Sequence, residues 1–121
     1  MYLFVLILVI LDLLTKYLFK SIKNYGAAFG LLEGFNWMFI IIGFLVVIVI
    51  IYYKNKVNKK VLYGLIFLMA GTIGNLIDRI VFGYVRDFIQ IWIYPGFNLA
   101  DVFNVIGIIL IIIYSKKSKN F

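Results

Sequence analysis

The amino-acid sequence predicts an all-α integral membrane protein, with four transmembrane helices in a single membrane domain over residues 1–121. Three observations carry that expectation. Of the 121 residues, 65% are hydrophobic and 14% charged, where an ordinary soluble domain is about half apolar and about a quarter charged. The apolar residues fall into four runs, each close to the roughly 17–25 residues that cross hydrocarbon as a helix. Most of the excess basic residues sit in two short tracts flanking those runs, as at the cytoplasmic ends of membrane helices.

The first run covers about 2–19 and is interrupted by Asp12 and Lys16. A cleaved signal peptide is the alternative for it. A basic leading region and a small-x-small cleavage site are both missing, so a retained span is expected. The second run, about 37–53, contains no charge. The third covers about 61–78. The fourth, about 99–114, is interrupted by Asp101 and Asn104. It is slightly short, so its start is expected to reach back into the preceding loop.

Orientation follows from the lysines and arginines. The 54–60 loop reads KNKVNKK, and the 115–121 tail carries Lys116, Lys117 and Lys119. Four spans put that loop and both termini on one side, with seven of the twelve basic residues. That side is expected to be cytoplasmic. All five acids (Asp12, Glu33, Asp78, Asp87 and Asp101) map to the outer half or the outer loops. The net charge of +7 is thus placed for a membrane surface, so lipids and not nucleic acid are the expected partners. Phe35, Trp37, Trp92 and Tyr94 would lie at the outer interface, and Tyr52, Tyr53 and Tyr114 at the inner one. Two outer segments remain, 21–36 and 80–98. The second contains VRDFIQIWIY, whose partial alternation of β-branched and aromatic residues reads as strand.

Polar groups inside the spans are costly and tend to be functional. Here they come in five clusters. Asp12 and Lys16 are four apart on one helical face, which also suits a structural ion pair. Asn24, Gly26 and Gly30 lie in NYGAAFG, which taken alone is an ordinary turn. Gly71, Gly74, Asn75 and Asp78 share one face of the third span, so a packing seam capped by an Asp78–Arg79 ion pair is the plain alternative. Asp87 stands in the outer loop, where a solvated acid would be unremarkable. Asn98 and Asp101 are three apart at the entry to the fourth span, where an acid is favoured by the helix dipole.

Elimination narrows the chemistry. With no Cys and no His, the chain has no thiol nucleophile, no imidazole base, no Ser-His-Asp triad and no Cys or His metal site. Ser115 and Ser118 lie in the inner tail and Ser21 has no strong setting, so a Ser-Lys pair is a poor candidate. Carboxylate chemistry remains. Two carboxyls held close share one proton, the ionised one taking a proton from water while the protonated one polarises a carbonyl. No metal or cofactor is required.

In order along the chain, DLLTK, NYGAAFG, GTIGNLIDR, VRDF and FNLAD resemble the motif set of the lipoprotein signal peptidases, or signal peptidase II. The resemblance spans roughly 12–107. It implies an aspartic endopeptidase of the bacterial cytoplasmic membrane. The substrate would be a prolipoprotein, cut just before a cysteine already carrying diacylglyceryl. It also implies four membrane helices with a small outer β-cradle and a short outer helix, drawn from 80–94 and 21–36. The resemblance assigns the catalytic pair to Asp87 and Asp101. It assigns substrate or dyad positioning to Asn24, Gly26, Asn75, Arg79, Asn98 and Ala100, and a framework role to Asp12, Lys16 and Asp78. A monomer with its active site near the outer face is expected. Two positions depart from the family pattern: Leu13 stands where Gln is frequent, and Arg86 precedes the loop aspartate where an apolar residue is usual. Arg86 would favour ionised Asp87 if it pointed there. Strand alternation sends it to the other face instead, toward lipid phosphate.

Two other functions compete. A channel subunit would need polar residues at every depth, yet the second span has none. A scaffold packing through Gly71 and Gly74 leaves carboxylates at both Asp87 and Asp101 unexplained.

Overall fold

The computed structural model describes residues 1–26, 31–91 and 96–116. Its elements run α1 (Tyr2–Leu18), β1 (Ile22–Asn24), α2 (Asn36–Tyr53), α3 (Lys59–Phe82), β2 (Val85–Asp87) and α4 (Leu99–Ser115). Each helix covers one of the apolar runs. Trp92 and Tyr94, residues 27–30, Lys117 and Lys119 lie outside the described residues.

Local chemistry sets the helix ends. Asn58 caps α3, its side-chain oxygen accepting from the Val61 amide at 2.9 Å. Gly83, at φ 79°, closes the same helix in the left-handed conformation that glycine adopts without strain. So α3 runs to Phe82, past the end expected at 78. At α4 the start is Leu99 and does not reach back into the loop. Asn98 accepts from the Asp101 amide while the Asp101 carboxylate accepts from the Asn98 amide, a capping box that forbids another turn.

Helix α3 is central and packs against α1, α2 and α4. The core joins Val5, Leu8 and Val9 of α1, Ile50 of α2, Leu65, Ile66, Met69 and Ala70 of α3, and Phe103 of α4. Away from α3 many apolar side chains of the described helices stay exposed. On α2 only Gly43 and Ile50 are buried, leaving Ile41, Phe44, Leu45 and Ile48 open. A helix apolar all round yet barely buried calls for a hydrocarbon solvent. Helices α2 and α3 are long and apolar enough to cross a membrane, and α4 is a shorter apolar helix.

The α3–α4 seam depends on missing side chains. A Cβ on Gly64 would meet the Gly107 carbonyl oxygen at 2.9 Å, and one on Gly107 would meet the Gly64 carbonyl at 2.6 Å. Gly71 lies as tightly against Ala100 and Asn104, and Gly74 against Asp12. Small residues that let backbones approach are the usual seam of membrane helix pairs.

Beyond the helix ends, β1 and β2 pair antiparallel, with Ile22 opposite Asp87, Lys23 opposite Arg86 and Asn24 opposite Val85. A further bridge joins Ile89 to Phe97. Of VRDFIQIWIY (85–94), residues 85–87 form the strand and Ile89 adds the bridge to Phe97, while 92–94 lie outside the described residues. Among the described residues of 21–36 there is no short outer helix before α2.

Gly107→Leu is expected to destabilise the protein by about 1–3 kcal/mol, the usual cost of overpacking. Thermal unfolding in detergent micelles measures it, and an unchanged midpoint would show that the helices separate freely.

Candidate active site

The capping box that starts α4 also fixes a carboxylate. Asp101 Oδ2 is held by the Asn98 amide N–H at 3.1 Å, and Oδ1 accepts from the Asn75 side chain on α3 at 2.9 Å. Strand β2 delivers the second carboxylate. Val85 and Asp87 turn one way and are buried, while Arg86 turns the other and is less so. Asp87 Oδ1 accepts from the Asn98 side chain at 2.9 Å, and Oδ2 from the Asn24 side chain on β1 at 3.0 Å. Asn98 therefore touches both acids, one through its side chain and one through its backbone. Its own side chain is fully buried.

All four carboxylate oxygens are met by neutral amide donors from the described residues. Each oxygen has two acceptor sites, so capacity remains for water, a shared proton or a substrate carbonyl. Burial pushes the Asp87 carboxyl up from 3.8 to about 6. Neighbouring Asp101 pushes the same way, and the bonds from Asn24 and Asn98 oppose the shift. A carboxyl so placed readily keeps a proton that an exposed aspartate would lose.

Behind the pair lies a buried row of charges. Lys16 Nζ sits 2.7 Å from Asp12 Oδ2 and 3.4 Å from Asp78 Oδ2. It also donates to the Gly74 carbonyl and the Asn75 side-chain oxygen, each at 3.2 Å. Asn75 thereby stands between the lysine and Asp101. Asp12 Oδ1 accepts from the Ala100 amide at 2.9 Å, tying α1 to the first turn of α4. The i,i+4 pairing expected of Asp12 and Lys16 is present.

The Asp78–Arg79 pair that the packing-seam alternative would require is absent. Adjacent residues on a helix point about 100° apart, and the two side chains part. Asp78 pairs with Arg86 at 3.0 Å. Arg79 donates to the Gly26 carbonyl at 2.6 Å and to Asn36 at 3.3 Å, with its guanidinium 4.7 Å over the Phe39 ring. It thus holds the turn after β1, where the Gly26 amide also bonds back to the Asn24 side chain at 2.9 Å. Arg86 points neither at Asp87 nor outward to lipid phosphate, but to Asp78.

The structure brings Asp87, Asp101, Asn24, Asn75 and Asn98 into one hydrogen-bonded group, with Gly26 and Arg79 forming its flank, while the Ala100 amide bonds to Asp12 behind it. Sequence reasoning overlooked Asn36, which exchanges bonds with Arg79 through both ends of its amide. A polar residue opening an otherwise uncharged apolar run was the available signal.

The family profile described as Signal peptidase (SPase) II matches residues 4–117. The chain belongs to the signal peptidase II family. A lipoprotein signal peptidase of Halothermothrix orenii is 38% identical over 93% of this chain and 92% of its own length. One from Listeria monocytogenes is 36% identical over 93% and 90%. Two solved structures of a bacterial membrane enzyme superpose with TM-scores of 0.87 and 0.84 at 34% and 33% identity. They cover 96% and 98% of this chain, and 87% and 93% of their own. As a signal peptidase II family member the chain is a membrane peptidase.

The Asp87 shift sets a pH dependence of stability. Because its folded value lies above 3.8, the folded state holds a proton that the unfolded chain releases first. The ionised carboxyl therefore costs stability above about pH 6, and that cost fades as pH falls toward 3.8. Asp87→Asn is expected to flatten this segment of the unfolding midpoint against pH. A mutant curve parallel to that of the parent protein would show that another group is responsible.

Proposed function

We propose that this protein removes signal peptides from diacylglyceryl-modified bacterial prolipoproteins. It would cut just before the lipidated cysteine, with water activated by Asp87 and Asp101. The observation that carries the reading is Asn98, hydrogen-bonded at once to both carboxylates. Two acids clamped by one residue and solvated by neutral amides are set to share a single proton. The ionised carboxylate accepts a proton from a water lodged between them. The protonated one donates to the scissile carbonyl oxygen and stabilises the charge that develops there. As the C–N bond breaks, the proton gained passes to the leaving amine, and one hydroxyl of the tetrahedral intermediate returns its proton to the carboxylate that had donated, restoring the singly protonated pair. Asn24, Asn75 and Asn98 hold the oxygens in line, and Lys16 orients Asn75 from behind.

The apolar surface of all four helices supports a four-span arrangement. The basic 54–60 loop and the tail would lie in the cytoplasm, with the dyad at the outer face. There the scissile bond of a membrane-anchored precursor can reach it while the acyl chains stay in lipid between the exposed helix faces. One chain supplies every group the scheme uses, which favours a monomer.

Asp87→Asn or Asp101→Asn is expected to abolish cleavage of a diacylglyceryl-modified precursor peptide, while the purified variants keep the helical circular dichroism of the parent protein. Normal turnover in either would remove the dyad. Turnover is also expected to survive a chelator, and inhibition reversed by added divalent metal would refute the water activation proposed.

A further inference from the structure

Arg86 takes no part in the chemistry just described, yet it is tied down more heavily than any neighbour on its strand. Its backbone N–H donates to Asp78 Oδ2 at 2.9 Å and its Nε to the same oxygen at 3.2 Å. Its Nη2 reaches Asp78 Oδ1 at 3.0 Å. Guanidinium and carboxylate thus meet fork to fork, the geometry that holds an arginine most firmly in one orientation. The guanidinium also lies 4.7 Å over the Phe82 ring. On the opposite side, the Arg86 carbonyl accepts from the Asn98 side chain at 3.2 Å. One residue therefore bridges the end of α3 and the start of α4, immediately before Asp87.

We propose that Arg86 is a positioning residue for the reaction, a latch whose grip on Asp78 holds strand β2 where Asp87 meets Asp101. Three physical facts support it. Strand β2 is three residues long and pairs with a strand of three, and a two-stranded ribbon of that size does not hold itself in place. Strand alternation points Arg86 and Asp87 to opposite faces, so the arginine can anchor the strand without entering the site. Asp78 is fully buried, and with Asp12 and Lys16 it would leave one net negative charge inside the protein. Arg86 neutralises that charge, and a buried pair broken on one side is strongly destabilised, so the contact is hard to leave. The inference rests on the dyad reading for its kinetic consequence, not for the latch itself.

The test is made on the full-length protein in detergent micelles. In Arg86→Gln, kcat on a diacylglyceryl precursor peptide is expected to fall about ten- to a hundredfold, the scale of a displacement of about 1 Å at a reacting group. KM should stay near the parent value, because the substrate surface is untouched. Arg86→Lys, which keeps the charge and loses the fork, should recover part of kcat. Hydrogen–deuterium exchange of the 85–87 amides should be faster in Arg86→Gln. An unchanged kcat, or a loss confined to KM, overturns the proposal, as does unchanged exchange in a folded variant. If Arg86→Gln fails to fold, Arg86→Lys decides: a lowered kcat at constant KM supports the latch, and a parental kcat overturns it. Faster exchange together with full turnover in the Asp87→Asn and Asp101→Asn variants would leave the latch standing and sink the dyad instead.

Discussion

The fully buried side chain of Asn98 donates to Asp87 and to Asn75, its side-chain oxygen accepts from the Asp101 amide, and its own amide N–H ends on the Asp101 carboxylate. Cations placed between two such acids would hold both ionised, because a positive partner favours the charged form of each. A neutral amide solves this. It satisfies carboxylate oxygens, fixes their direction and adds no charge. The same residue is the helix cap of α4, so the condition for starting that helix and the condition for assembling the pair are met by one side chain.

Around this joint the charged residues do the complementary work. Asp12, Lys16 and Asp78 form a buried row that the half-buried Arg86 completes, so that each acid has a base and desolvation is offset only while every member is in place. The row fastens α1, α3 and β2 to one another, and through the Ala100 amide it reaches α4. Gly74 makes this possible, since a side chain there would occupy the space of the Asp12 carboxylate. Small residues on α3 and charges on α1 are thus parts of one arrangement: the backbone must come close before a short aspartate can span the gap.

Much of the fold was legible along the chain because apolar helices of this length need no tertiary partner to declare themselves. Lys16 follows Asp12 by one helical turn, and Asn98 precedes Asp101 by three residues, so both relations could be read from spacing. Other relations were not local. Asp78 stands next to Arg79 in sequence, yet pairs with Arg86 across Gly83 and the start of β2, because direction on the helix separates neighbours and the returning strand brings the second arginine over the acid. The mutual fit of Gly64 and Gly107 left no local signal, since a glycine shows its purpose only through the backbone it faces. The strand was foreseen in kind, and 85–87 pair with β1 while Ile89 bridges to Phe97.

By itself the sequence determined the solvent, the reactive groups on offer and the family. Composition demanded hydrocarbon around the helices, the lack of His and Cys left carboxylates, and five ordered motifs marked a signal peptidase II. Only the tertiary structure decided which polar group meets which. Partners such as Asn24 with Asp87, Asn75 with Asp101 and Arg86 with Asp78 lie on different elements, and their distances depend on how helices and strands close upon one another. Spacing along a chain governs direction within one element, whereas packing governs everything between them.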